Sequence, residues 1–166
     1  MFSRANGPEL WVMLIEKAYA KLHGSYDALK YGFTKHGMLD ITGCPTVEFQ
    51  IPDQKKRESE LGEEIIDKMW DALQEYDDNG FLISCETPGE DLVSDSGGGP
   101  NKKGGLVPGH AYALITVKKT LNGTRLLNIR NPWGTFEWDG DWSDRSDKWT
   151  SEMKQEVRPV LDESDG

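Results

Sequence analysis

The dipeptide Asn122-Gly123, set between two apolar runs, constrains this chain more than any other short feature. One run spans Ala111 to Lys118 and the other Arg125 to Arg130. Asn-Gly supplies the positive φ angles of a tight turn, so the pair predicts an antiparallel hairpin. With Asn122 and Gly123 as the two turn residues, Asn131 falls opposite Leu114. Side-chain parity then puts His110, Tyr112 and Leu114 on one face with Leu127, Ile129 and Asn131. His110 opens the first run and Asn131 closes the second, so both belong to the open end of the ribbon. In a flat ladder His110 would lie four residues beyond the partner of Asn131, about 13 Å at strand rise. A twist or bend, with Pro132 as its site, is needed to bring the two side chains together.

Helical periodicity marks two further elements. Trp11, Leu14, Ile15, Ala18 and Leu22 form one apolar stripe on a helix from about Pro8 to Leu22, with Pro8 in its first turn. Ser59 is the expected N-cap of a second helix, and Glu60, Glu63 and Glu64 suit the positive end of its dipole. Leu61, Ile65, Ile66, Met69, Trp70 and Leu73 are its expected buried face, and Asp77-Asp78-Asn79-Gly80 ends it. Between the two, residues 25–58 read as loop and short strand. Phe81 to Cys85 reads as a short strand. The glycine-rich stretch from Glu86 to Gly105 is long enough for a functional lid and leads directly into His110. Trp138, Trp142 and Trp149 stand in a C-terminal segment read as ordered loop.

Length and charge narrow the function. A chain of 166 residues is enough for one ordinary domain. A net charge of −10 argues against nucleic acid as a partner, because phosphate contacts need clustered Lys and Arg. Nine acidic residues fall from Asp139 onward, which favours cations or basic partners there. Two cysteines, Cys44 and Cys85, are too few for a disulfide framework, so a reducing, cytoplasmic setting is expected, with both as buried or half-buried structural thiols. The longest apolar run, Ala111 to Val117, falls far short of the roughly 20 residues of a transmembrane helix. The N-terminus lacks the apolar core of a signal peptide.

Imidazole titrates near neutral pH, so a positioned His can take a thiol's proton and later give one to a leaving amine. An Asn amide oxygen can accept the imidazole N–H and fix the ring without adding charge. Trp133 is placed to shield that hydrogen bond from water. Gly109-His-Ala-Tyr, then Ile129-Arg-Asn-Pro-Trp-Gly, then Glu137-Trp with Gly140, Trp142, Ser143 and Asp144, resembles the calpain family of calcium-dependent cysteine endopeptidases. Gly7-Pro-Glu-Leu-Trp, Leu14 to Tyr26 and Asp40-Ile-Thr-Gly43 agree with it, in the family order.

The resemblance implies an α+β, papain-like protease core of two subdomains with the active site in the cleft between them. The first carries the nucleophilic Cys, and the second, built on antiparallel strands with flanking helices, carries His and Asn. On that pattern residues 1–30 are the terminal helix segment of the first subdomain, and residues 31–166 are the second, truncated at its C-terminal end. His110 matches the catalytic His, Asn131 the catalytic Asn, and Trp133 the neighbouring tryptophan. The family's Gly-Asp-Cys-Trp motif does not occur in these residues. The chain alone is therefore expected to be inactive, and its partners would be the missing Cys-bearing subdomain and protein substrates. The resemblance also implies calcium as cofactor: Glu9 matches a ligand of one site, and Glu137, Asp144 and Asp165 match ligands of a second. The alternative reading is a catalytically inactive, calpain-like regulatory or interaction module.

Overall fold

In the computed structural model the described residues are 3, 7–89, 104–134 and 137–161. The chain divides into two units, Met1–Val47 and Glu48–Gly166.

The first unit is helical. α1 spans Trp11–Leu22 and starts later than Pro8, because Leu10 stands at its N-cap and offers no side-chain acceptor. Its stripe is not covered: Trp11, Leu14 and Leu22 are all exposed. A 3-10 turn at Asp27–Leu29 precedes α2, Thr34–Thr42. The expectation of loop and short strand over 25–58 is corrected here. Gly37 lies inside α2, and Gly43, at φ +70°, caps it by returning its N–H to Leu39. Asp40 ties the two helices, accepting from Tyr19 Oη at 2.8 Å and facing His23 Nε2 at 3.5 Å. Cys44 is exposed, against its expected burial, because it follows the capped end of α2.

The second unit opens with α3, Gln54–Arg57, whose N-cap Asp53 accepts from the Lys56 N–H at 2.9 Å. α4 spans Glu60–Asp78 behind Ser59, which caps it as expected by accepting from the Gly62 N–H. A Cβ on Gly62 would lie 1.8 Å from the Lys56 carbonyl, so glycine is what lets α3 approach α4. Three antiparallel strands follow, β1 (Ile83–Glu86), β2 (Ala111–Lys119) and β3 (Arg125–Arg130), in the order β1-β2-β3. Trp70 of α4 packs with Leu114 and Val117 of β2, flanked by Leu73, Ile83 and Ile129. Only the later part of α4 meets this core. Trp70 is buried, whereas Leu61 and Ile65, expected on the same face, are exposed. Where β2 outruns β1, the Val117 N–H is taken by Asp77 of α4 at 2.9 Å. The C-terminal segment is not all loop: α5 spans Ser151–Val157, capped by Thr150, and buries Met153.

The hairpin register differs from the expected one in two places. The turn holds three residues, Leu121 to Gly123, because Thr120 and Thr124 pair across it at 2.9 Å. Gly123 takes φ +86°, a left-handed conformation that suits glycine in a three-residue loop. A bulge between Leu114 and Thr116 then slips the ladder once more, so that Leu114 faces Ile129. Each slip alone would exchange the faces. Together they restore the expected parity at the open end. They also bring Asn131, by extension of that register, opposite Tyr112 instead of Leu114, half the earlier separation from His110.

Candidate active site

His110 immediately precedes β2 and Asn131 immediately follows β3. His110 Nε2 lies 2.9 Å from Asn131 Oδ1, and both residues are buried. The Trp133 backbone N–H donates to the same Oδ1 at 3.0 Å. That second donor fixes the chemistry. An atom taking a peptide N–H must be the amide oxygen, so His110 Nε2 must carry its proton toward it. Neutral His110 is thereby the Nε2–H tautomer, and Nδ1 keeps its lone pair for a proton acceptor's work.

The turn after β3 builds this acceptor. The Gly134 N–H returns to the Asn131 carbonyl at 3.0 Å, with Pro132 at the position where its fixed φ suits a turn. One Asn side chain thus closes its own turn and holds the imidazole. The Trp133 ring lies against His110 with centroids 4.1 Å apart, and Tyr112 meets it edge-on at 5.0 Å. Tyr112 Oη accepts from the Val107 N–H at 2.7 Å, and Val107 is wholly buried. The imidazole therefore sits between two aromatic rings, one of them anchored. Sequence parity had put Tyr112 on this face. The contribution of Val107 behind it had no signal in the sequence.

Cys85 is not poised as a nucleophile. Cys85 sits in β1 opposite Tyr112 and is half-buried. Burial, helped by neighbouring Glu86, pushes its thiol pKa up, away from the thiolate a nucleophile needs. Cys44 belongs to the other unit.

The carboxylates do not gather in the same way. Among the described residues no three His, Cys, Asp or Glu come together so as to hold a metal ion. Glu9 is exposed and belongs to the first unit. Glu137 and Asp144 are half-buried in the second, and Asp165 lies outside the described residues. Calcium takes six to eight oxygens, so the described residues do not by themselves fit it. The segment between Glu137 and Thr150 is instead organised by tryptophans. Trp138 Nε1 donates to the Asp141 carbonyl at 2.8 Å, and Trp149 Nε1 to the Ser143 carbonyl at 2.9 Å. Trp142 and Trp149 meet edge to face at 5.0 Å.

The second unit is thus an α+β unit holding a buried His–Asn pair beside a tryptophan. Residues 1–166 match the family model for calpain family cysteine proteases, and the chain belongs to that family. It is 39% identical over 162 residues to the calpain-type cysteine protease DEK1 of Arabidopsis thaliana, covering 95% of this chain and 7% of that protein. It is 36% identical to human calpain-14, over 94% of this chain and 21% of the relative. Against the bovine calpain-1 catalytic subunit the identity is 34%, over 97% of this chain and 21% of that subunit. The chain thus spans about 7% of the plant relative's length and 21% of the animal ones.

Proposed function

We propose that this chain supplies the general base and its orienting partner for peptide-bond hydrolysis by a calpain-type cysteine endopeptidase. The observation that carries this reading is the His110 Nε2–H to Asn131 Oδ1 hydrogen bond, with its polarity set by the Trp133 N–H. His110 takes a thiol proton at Nδ1, leaving a thiolate that attacks the substrate carbonyl. The imidazolium then returns the proton to the leaving amine as the C–N bond breaks and a thioester forms. Water, deprotonated by the same Nδ1, hydrolyses the thioester. Asn131 stabilises the imidazolium without neutralising it, and Trp133 shields their hydrogen bond.

The thiol comes from outside these residues, since the family's Gly-Asp-Cys-Trp motif is not among them. On this reading residues 1–30 belong to the Cys-bearing subdomain and residues 31–166 to the His- and Asn-bearing one. The enzyme's substrates are proteins, met in the cytoplasm. His110→Ala in a parent carrying the Cys is expected to lower kcat by on the order of a thousandfold or more, with folding unchanged by circular dichroism. Retained turnover would remove His110 from the mechanism.

Calcium dependence belongs to the same parent, where Glu137 and Asp144 would supply part of a ligand set that Asp165 and other residues complete. Glu9 would contribute to a separate site. Because the described residues fall short of a full set, titrating this chain with calcium to millimolar levels is expected to leave its tryptophan fluorescence unchanged. A saturable change would show that the chain holds a complete site.

A further inference from the structure

The ladder between β1 and β2 ends in an unusual exchange. Its pairs run from Ile83 opposite Leu114 to Glu86 opposite Ala111, so the next pair is Thr87 with His110. The Thr87 N–H donates to the His110 carbonyl at 2.9 Å, as a ladder requires. The return bond does not go to the Thr87 carbonyl. The His110 N–H donates instead to the Thr87 hydroxyl oxygen at 3.0 Å. The chain turns away at Pro88, and the side chain replaces the backbone acceptor that the turn withdraws. The same hydroxyl has one proton, and its shorter contact is to the Val107 carbonyl at 2.5 Å. Val107 in turn gives its N–H to Tyr112 Oη, and the Tyr112 ring meets the His110 imidazole. The Thr87 hydroxyl is therefore held to His110 by two routes. One runs through the His110 backbone N–H and the other through Val107 and the Tyr112 ring.

We propose that Thr87 is a positioning residue for His110, its hydroxyl setting the backbone and ring placement that lets His110 Nε2 reach Asn131. The proposal rests on the reading of His110 as the general base, and it adds a residue on a different strand to the set that aims the imidazole. Thr87 touches no reacting atom on this account. A hydroxyl is needed because one atom must both accept from His110 and donate to Val107. A carboxylate cannot donate, and an aliphatic side chain can do neither.

The test compares Thr87→Val, which keeps the shape and loses the hydroxyl, with Thr87→Ser, which keeps the hydroxyl and loses a methyl. Nitrogen-15 shifts of the His110 ring are read at pH 8 in this chain, where no turnover is involved. The outcome is therefore separate from that of His110→Ala in the parent. Unsubstituted protein and Thr87→Ser are expected to show the Nε2–H tautomer, and Thr87→Val a mixture of both tautomers. An unchanged Nε2–H tautomer in folded Thr87→Val would overturn the proposal. If Thr87→Val fails to fold, exchange of the His110 backbone amide decides. Protection as slow as that of the β2 amides in the unsubstituted chain and in Thr87→Ser supports the hydroxyl contact, and fast exchange in either overturns it.

Discussion

The two ends of one hairpin are built on opposite terms. At the closed end Leu121 is 96% exposed, and the turn's bonds are local apart from the Leu121 N–H, which donates to Glu156 of α5 at 2.6 Å. Asn122 Oδ1 accepts from the Thr124 N–H at 3.0 Å, and Gly123 bends back to Thr120 at 2.8 Å. At the open end Asn131 is 2% exposed, and the bonds of His110 reach residues 21 and 23 positions away. His110 meets Asn131 just past β3, Thr87 just past β1, and Tyr112 and Trp133 around its ring. A local turn needs only its own four or five residues, whereas an aimed imidazole needs a fixed frame. The bulge between Leu114 and Thr116, seated over Trp70, is where one end is fitted to the other.

The contrast can be broken at its middle, its open end and its tip. Trp70→Ala should have the largest effect, about 3–5 kcal/mol of stability by denaturant unfolding, because it empties the core under the bulge. Trp70→Phe should cost far less, since it keeps an aromatic ring and drops an Nε1–H that is buried without a partner among the described residues. Equal losses would mean that the indole is bound in some further way. Asn131→Ala should leave the fold intact and lower kcat of a Cys-bearing parent by on the order of a hundredfold, as the imidazole loses its tautomer and aim. An unchanged kcat would reduce the open end to another piece of scaffold. Gly123→Ala should have the smallest effect, about 1–2 kcal/mol from forcing a side chain into the left-handed region. It should leave the His110 ring shifts untouched. A tautomer change from that remote substitution would show that the two ends are coupled through the ribbon.

Local chemistry made the hairpin, the Ser59 cap and the α4 helix legible, because a turn dipeptide, a capping hydroxyl and a helical period act within a few residues. The same locality explains the misses. Residues 25–58 read as loop and short strand, yet Gly37 is tolerated inside α2 and Gly43 ends it. Leu61 and Ile65 fit the helical period of α4, but only the stretch around Trp70 and Leu73 reaches the sheet. Cys44 looked like a buried thiol, and its exposure depends on where the chain goes after Gly43. The stripe on α1 was read correctly as a pattern, but a pattern does not say whether anything covers it.

For the candidate site, the sequence by itself determined which residues to propose for the chemistry. His110, Asn131 and Trp133 are named by their motifs, and strand parity puts the first two on one face. Tertiary structure decided whether they meet. A three-residue turn and a bulge, each worth one residue of register, cancel in parity and add in reach. Backbone pairing across strands settled that, and no window of sequence contains it. The carboxylates mark the other limit. Glu137 and Asp144 are as easy to pick out by motif as His110, yet among the described residues they are not part of any group of three or more His, Cys, Asp or Glu that could hold a metal ion. A general base needs one partner within hydrogen-bond reach, and one hairpin can supply it. A calcium ion needs six or more oxygens converging from several segments, so its site depends on more of the tertiary fold than a pair of strands provides.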